Sequence, residues 1–132
     1  VKFYNDSIAS SPSRTIAGLR SFSEKVILIA GGYDKHIPYD VLGPEICAHV
    51  KKLFLGGATG KLIREAVEKC PEYNAETLEI VDCGNFESAV RAAAAAAKTG
   101  DVVLMSPASA AFDQFKNFMV RGRFFKKIVM EL

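Results

Sequence analysis

DVVLMSPASAAFDQFKNFMVRG, residues 101–122, is the segment whose pattern decides the fold. It begins with a short apolar strand over 102–105 and passes through Ser106 and a proline into the small residues 108–111. Phenylalanines then recur every three residues and predict an amphipathic helix, at Phe112, Phe115 and Phe118. Because the first N–H groups of a helix have no partner within it, small residues at this point predict a pocket for an anion.

The rest of the chain alternates strands and helices in the same way. Apolar runs predict strands at 1–4, 26–30, 52–55, 78–81 and 102–105. Between and after them, helices are predicted at 11–21, at about 40–51, after Gly57, after Asn85 and at 124–130. Connections of this length exclude hairpins and favour right-handed crossovers between parallel strands. We therefore predict one Rossmann-like α/β domain over residues 1–132, with a mainly parallel sheet of about five or six strands and helices on both faces.

Composition and charge exclude several classes of protein. The 132 residues are 49% hydrophobic with a net charge of +2, which is typical of a globular domain and too weakly basic for a nucleic-acid-binding surface. We interpret the basic cluster near the C-terminus as the solvated face of a helix: Arg121, Arg123, Lys126 and Lys127. No apolar run approaches the roughly 18 residues of a membrane span. Three scattered cysteines indicate reduced thiols in a cytoplasmic protein, without a disulfide framework or a zinc site: Cys47, Cys70 and Cys83.

Ligands of parallel α/β sheets bind beyond the carboxyl ends of the strands. In this sequence those ends are 5–10, 31–36, 56–60, 83–85 and 106–111, where polar and small residues gather. Lys35 is the cation that stands out there, and it suits a carboxylate or a phosphate unless it is simply an exposed loop lysine. Asp6 is either a turn residue or an acceptor for a ribose or an amine. Ser106 either ends its strand or contacts a ligand.

The motif GGATGK at 56–61 resembles a phosphate-binding P-loop but lacks its spacing. A P-loop needs a glycine where this chain has Leu55, and Ser or Thr where it has Leu62. We interpret the motif as a tight turn before a helix. The sequence also contains no GxGxxG, no convincing pair of nucleophile and base around His36 or His49, and no evident acidic metal cluster. It therefore favours a binding surface over a self-contained catalytic site.

Four segments together resemble the C-terminal domain of Mur ligases: NDSIASSP at 5–12, IAGGYDK at 29–35, the block 100–122 and FFKKIV at 124–129. Within this family the chain is most similar to the members that add D-glutamate to UDP-N-acetylmuramoyl-L-alanine. The resemblance covers essentially the whole chain, and its most specific part is 106–122. It implies a monomeric, cytoplasmic, three-domain enzyme of peptidoglycan synthesis. The UDP-sugar is expected on the N-terminal domain, ATP and Mg²⁺ mainly on the central domain, and the amino acid on the C-terminal domain.

The resemblance also implies a reaction and roles for single residues. ATP phosphorylates a carboxylate of the nucleotide substrate, and the amine of D-glutamate attacks the acyl phosphate to form an amide. Lys35 corresponds to the lysine that binds a carboxylate of D-glutamate, and Phe118 to the phenylalanine whose backbone lines that site. Ser10 corresponds to a threonine that contacts the same substrate, and Asp6 to the aspartate that reaches ATP when the domains close.

Two positions depart from the family's pattern. Ile8 replaces a lysine that also contacts D-glutamate, and Ala111 replaces a serine, although Ser109 lies two residues earlier. Ser109 is therefore assigned to the substrate site together with Ser106. A charge-assisted hydrogen bond contributes roughly 1.5–3 kcal/mol, so the carboxylates of D-glutamate must be bound by compensating groups or more weakly.

Two alternatives stay open. The first is a non-catalytic, Rossmann-like ligand-binding module, since the chain lacks a complete catalytic set. The second is a related ligase with another amino-acid substrate, since Ile8 and Ala111 differ from the family's pattern. We expect neither nucleic acid nor a membrane among the partners and no catalysis by this domain alone. Because Val1 stands where a methionine would begin a protein, we expect the missing domains to precede it in a longer chain.

Overall fold

The computed structural model describes residues 1–111 and 114–132, and in them strands and helices alternate as predicted. The strands are β1 (Lys2–Asn5), β2 (Val26–Ala30), β3 (Val50–Leu55), β4 (Glu79–Asp82) and β5 (Val102–Met105). The helices are α1 (Pro12–Arg20), α2 (Leu42–His49), α3 (Gly60–Glu68), α4 (Phe86–Ala96) and α5 (Phe118–Met130). Neighbouring strands pair in parallel, in the order β1-β5-β2-β3-β4. The predicted α/β fold with a parallel sheet is therefore confirmed.

Helices cover both faces of the sheet because its central strands are apolar on both sides. In β2, Val26, Leu28 and Ala30 join one hydrophobic cluster, whereas Ile27 and Ile29 join the other. The first cluster includes residues of α1, α2 and α3, and the second includes residues of α4 and α5. None of the helices in the described part of the chain has the length and apolar character that a membrane crossing requires.

The carboxyl end of β5 lies where the following helices diverge. Helix α5 follows β5 onto one face of the sheet, whereas α1 and α2 follow the neighbouring strands β1 and β2 onto the other. In open α/β sheets, ligands bind beyond the carboxyl ends at such points of divergence. The fold therefore places the segment after β5 between the loops that follow β1 and β2.

The segment after β5 folds differently from the prediction. The phenylalanine spacing predicted one helix directly after Ala111 and a second over 124–130, but α5 is continuous from Phe118 to Met130. Asn117 starts this helix, since its side-chain oxygen accepts a hydrogen bond from the N–H of Val120 at 3.0 Å. The polar cap, and not the phenylalanine period, therefore determines where the helix begins.

Phe115 lies before α5 and packs in the core, as predicted. Its ring centroid is 5.3 Å from that of Phe86 and 5.4 Å from that of Phe124. Phe112, which was expected to pack beside it, lies outside the described residues. The aromatic period was therefore correct for burial at Phe115 but wrong for local backbone structure.

Two smaller boundaries also differ from the prediction. Helix α2 ends at His49, and β3 begins at Val50 instead of position 52. Val50 pairs with Val26 of the central strand β2, and pairing of two β-branched residues extends the strand at the expense of the helix. Strand β4 is shifted by one residue, from 78–81 to 79–82, and forms one edge of the sheet.

Candidate functional site

A buried arginine, Arg121, joins the segments at the carboxyl ends of β1 and β5. It extends from α5 and is 1% exposed. Its Nε donates to Oγ of Ser7 at 3.0 Å, and its Nη2 donates to the carbonyl oxygen of Ser7 at 2.6 Å. Its Nη1 donates to the carbonyl oxygen of Ser109 at 2.7 Å, and a longer contact of 3.4 Å reaches Oγ of Ser10. Two loops and one helix are thereby held as a unit.

The interpretation of Arg121 as part of a solvated basic face is wrong. Arg123, Lys126 and Lys127 are exposed, but Arg121 lies on the buried face of α5 with Phe125 and Ile128. Positions 121, 125 and 128 recur at helical spacing, so the apolar stripe reaches the arginine when it is extended toward the N-terminus of the helix. That signal identifies Arg121 as buried. It does not identify its partners, which come from other loops.

The segment 108–111 is a buried connection and not the start of a helix. The N–H of Ala108 donates to the carbonyl oxygen of Ala9 at 2.9 Å. Carbonyl oxygens on either side of Ala108 accept from the N–H groups of Gly31 and Tyr33, both at 2.9 Å. The prediction of an anion pocket at a helix N-terminus here is therefore wrong, because the segment is paired with neighbouring loops and α5 begins farther along the chain.

Asp6 and Ser106, two of the predicted site residues, contact each other directly. The Ser106 hydroxyl donates to Oδ2 of Asp6 at 2.7 Å and lies 3.0 Å from Oγ1 of Thr15. Ser106 is fully buried, whereas Asp6 is half-buried and lines a cleft of about 460 Å³ together with Arg14. In this arrangement Ser106 orients the carboxylate of Asp6. Of these two residues, Asp6 lines the cleft and can contact a ligand there.

Ser109 is the centre of a second buried cluster. Its hydroxyl lies 2.7 Å from Oγ1 of Thr59 and 3.0 Å from the hydroxyl of Tyr39. Oγ1 of Thr59 also accepts a hydrogen bond from the N–H of Gly32 at 2.9 Å. Burial raises the pKa of Tyr39 above its usual value, so this phenol stays protonated at neutral pH. Ser109 therefore joins the loops that follow β2, β3 and β5, and the sequence alone gave no indication of Thr59 or Tyr39 as its partners.

Lys35 lies in the loop between β2 and α2, and its side chain is exposed. Within 1–111 and 114–132 it has neither a hydrogen-bond nor an ion-pair partner. The turn around it is fixed by Asp34, whose Oδ1 accepts from the N–H of His36 at 2.7 Å. The structure thus places Lys35 at the predicted edge of the sheet, available to an anion, but no direct contact joins it to Asp6 or Ser10.

A second cleft, of about 380 Å³, lies between the loop after β1 and helix α5. Ile8 and Phe118 form part of its wall, and Arg123 and Lys126 extend from α5 into its lining. The carbonyl oxygen of Phe118 accepts a hydrogen bond from Oγ of Ser7 at 2.6 Å, which fixes the helix start against the loop. Apolar walls with a few charged groups are typical of sites for small ligands, and two cations suit a carboxylate. Because Ile8 is apolar, the positive charge of this cleft comes from α5.

The GGATGK turn uses its backbone N–H groups inside the protein. The N–H groups of Gly56, Gly57, Thr59 and Gly60 all donate to carbonyl oxygens at 3.0–3.2 Å. A P-loop needs such groups to surround a phosphate. The interpretation as a tight turn before a helix is therefore confirmed. Among the residues that the structure describes, no group of three His, Cys, Asp or Glu side chains could hold a metal ion.

Comparison with known proteins finds relatives over the whole chain. Residues 1–109 match the family described as Mur ligase, glutamate ligase domain. The UDP-N-acetylmuramoylalanine–D-glutamate ligase of Acetivibrio thermocellus is 57% identical over 98% of this chain and 28% of its own length. Ligases of the same name from Clostridium beijerinckii and Clostridium tetani are 50% and 51% identical over 100% of this chain and 29% of their own lengths. The chain thus spans less than a third of the curated relatives that it matches.

Proposed function

This chain belongs to the Mur ligase family, and from that membership we propose that it is the C-terminal, amino-acid-delivering domain of a three-domain ligase. The complete enzyme adds D-glutamate to UDP-N-acetylmuramoyl-L-alanine in peptidoglycan synthesis. The observation that carries the proposal is the identity of 57%, 50% and 51% with three ligases whose names specify D-glutamate. We further propose that the enzyme is monomeric and lies in the cytoplasm, where its nucleotide substrates are made.

The proposed reaction forms an amide through an activated acid. ATP phosphorylates the carboxylate of UDP-N-acetylmuramoyl-L-alanine, and the amine of D-glutamate attacks the acyl phosphate and releases phosphate. ATP and Mg²⁺ are held mainly by the central domain, which agrees with a GGATGK turn whose N–H groups are occupied within this domain. The part of this chain is to bind and orient the amino acid. When the domains close, it also excludes the water that would hydrolyse the acyl phosphate.

We place the amino acid at the cleft between the loop after β1 and α5. Phe118 lines this cleft, and we propose that Lys35 and Ser10, from the neighbouring loops, contact the bound D-glutamate, Lys35 through one carboxylate. Support comes from Arg121, which ties Ser10 and the segment after β5 to α5. Arg123 and Lys126 line the same cleft. They can supply the charge that family members with a lysine at the position of Ile8 take from that lysine.

Ser106 and Ser109 have supporting roles in this proposal. Both are fully buried, and their hydroxyls are engaged with neighbouring side chains. Ser106 holds the carboxylate of Asp6 in the direction of the cleft from which it meets ATP on closure. Ser109 keeps the loops after β2, β3 and β5 in register. Removal of either hydroxyl would therefore act on substrate binding through the shape of the edge.

The test is ATP-dependent phosphate release by the full-length enzyme with UDP-N-acetylmuramoyl-L-alanine and a panel of amino acids. We expect turnover with D-glutamate and little with L-glutamate, D-aspartate or meso-diaminopimelate. Equal turnover with another amino acid would contradict the D-glutamate assignment and leave the ligase reaction intact.

Ile8 is the observation that favours another amino acid, since it removes one cation from the proposed site. A ligase for a substrate with a single carboxylate would need fewer cations in this cleft. The same panel distinguishes the two functions. No phosphate release with any amino acid would instead support a non-catalytic ligand-binding module.

A further inference from the structure

We propose that Cys47 and Cys70 form a thiol oxidation site, in which a disulfide links α2 to the end of α3. The site lies apart from the cleft assigned to the amino acid and does not depend on the proposed function. The oxidants that react with this site are low-molecular-weight disulfides.

The packing of α2 on α3 brings the two cysteines together. A Cβ atom on Gly43 of α2 would lie 2.3 Å from the carbonyl oxygen of Ala66 and 2.7 Å from Sγ of Cys70. The two helices therefore approach so closely that only a glycine fits at the crossing. Cys47 lies four residues after Gly43 and hence on the same face of α2, one turn along. The sulfur of Cys70 thus lies against the face of α2 that carries Cys47.

The electrostatic environment of Cys47 agrees with a position of Cys70 beside it. Burial raises the pKa of Cys47, and the neighbouring Cys70 and Glu72 raise it further, whereas Lys25 lowers it. Both thiols are half-buried, so a small reagent can reach them. Because the thiolate is the reactive form, the thiol of Cys47 reacts slowly at neutral pH and faster as the pH rises.

The reaction is thiol–disulfide exchange with a reagent RSSR. The thiolate of one cysteine attacks a sulfur of RSSR, which forms a mixed disulfide and releases RS⁻. The thiolate of the second cysteine attacks the protein sulfur of the mixed disulfide, which forms the Cys47–Cys70 bond and releases a second RS⁻. The two protons lost by the cysteines convert both RS⁻ to RSH. The protein dithiol is oxidised by two electrons, and RSSR is reduced to two RSH.

Cys83 provides a matched control. It follows β4 and packs against the hydrophobic cluster of α4 and α5, on the face of the sheet opposite α2 and α3. It is also half-buried, and burial raises its pKa, as it does for Cys47. Cys83 therefore resembles Cys47 in partial burial and in the direction of its pKa shift, but the sheet lies between it and the pair.

The experiment is peptide mapping of the full-length protein after incubation with excess oxidised glutathione and quenching with acid. Trypsin alone leaves Cys70 and Cys83 together in the peptide 70–91, so glutamyl endopeptidase is added. The double digest separates the three cysteines into 46–51, 70–72 and 80–87. We expect 46–51 joined to 70–72, with a mass about 2 Da below the sum of the reduced peptides. Cys83→Ser should give the same linked peptide.

The single variants of the pair make the assignment falsifiable. In Cys47→Ser we expect Cys70 to keep a glutathione mixed disulfide, because the second attack is impossible, and in Cys70→Ser we expect the same of Cys47. If the wild type instead carries separate mixed disulfides at Cys47 and Cys70, the two sulfurs do not meet and the proposal is wrong. A linked peptide that contains 80–87, or no reaction at either thiol, would also overturn it.

Discussion

Arg121 shows how one side chain can organise a binding edge made of distant segments. Its guanidinium donates to oxygens of Ser7 and Ser109. Ser7 lies 114 positions before Arg121 in the chain, and Ser109 lies 12 positions before it. The donors of a guanidinium are arranged in a rigid fork, so these oxygens are held in one geometry. The shape of the candidate site therefore depends on a residue that does not line it.

Replacing Arg121 by methionine keeps most of the buried stem and removes every donor. The oxygens of Ser7 and Ser109 would then be buried without these partners, so we expect the free energy of unfolding to fall by about 2–4 kcal/mol. Urea denaturation of the 132-residue chain measures this. Arg123→Met, at an exposed position of the same helix, should change it by less than about 0.5 kcal/mol. Equal losses in the two variants would contradict the structural role of Arg121.

Lys35 is expected to affect substrate binding and not folding. Lys35→Ala in the full-length enzyme removes one charge-assisted contact to D-glutamate, so the KM for the amino acid should rise roughly tenfold or more. Lys98→Ala is the control, because Lys98 is also exposed but precedes β5, at the amino ends of the strands. A KM for Lys35→Ala that matches the wild-type value would remove Lys35 from the site.

Residue types at the carboxyl edge were predictable, but their directions were not. The sequence placed Asp6, Ser106 and Ser109 near one another because parallel strands end at one edge. It could not tell that both serines point inward, since their partners Thr15, Thr59 and Tyr39 belong to other elements. Hydrogen bonds between residues far apart in sequence leave no periodic signal, and only the assembled fold specifies them.

At the level of elements, continuous apolar runs predict the bounds of the strands most accurately. The bounds of β2 and β5 match the predicted 26–30 and 102–105, because both strands are buried on both faces and end at glycine or serine. The start of α5 was missed because two signals competed in 112–118: a three-residue aromatic period and a polar cap at Asn117. Tertiary packing of Phe115 against α4 satisfies its burial without a helix.

Gly43 determines how closely α2 and α3 can approach. Gly43→Ala would place a Cβ atom 2.3 Å from the carbonyl oxygen of Ala66, so the helices must separate and we expect a loss of about 1–3 kcal/mol in unfolding free energy. Urea denaturation of the chain tests this. Pro44→Ala, at the next and exposed position of α2, should cost less than about 1 kcal/mol. A Gly43→Ala variant as stable as the wild type would show that the crossing is looser than described.

Asp101 gives the amino edge of the sheet a dependence on pH. Its hydrogen bond from Lys51 of β3, together with one from the N–H of Lys98, lowers its pKa. A lowered carboxylate pKa contributes stability that is present above the unfolded pKa of about 3.9 and is lost as the pH falls through the folded value. We expect Asp101→Asn to be less stable than the wild type by about 0.5–1 kcal/mol at neutral pH.

The sign of the pH effect provides the check on Asp101. Urea denaturation of both proteins at several pH values should give a constant difference at neutral pH that shrinks below about pH 4. If the difference in unfolding free energy persists unchanged in acid, the charge of Asp101 contributes nothing to stability. The pair is partly exposed, so high salt should also reduce the difference.

At the level of the whole molecule, the surface of this chain agrees with the proposed role in delivering the amino acid. Its clefts contain cations and apolar walls, while its GGATGK turn is closed to phosphate. We therefore expect the 132-residue chain alone to fold cooperatively in urea but to release no phosphate from ATP in the presence of both other substrates. The full-length enzyme should release it under the same conditions. Phosphate release by the chain alone would contradict the proposed division of labour between domains.

The pairing of β1 with β5 has a consequence for the order of synthesis. In the described sheet β1 has a single neighbour, and its residues Lys2 to Asn5 pair with Val102 to Met105. While a ribosome makes the chain, β1 therefore has no partner until the residues of β5, 100 positions later in the sequence, have been added. The remaining strands can assemble earlier, because β2, β3 and β4 are sequential neighbours. Within this domain, the loop that carries Asp6 and Ser10 is thus among the first segments to be made and among the last to reach its place.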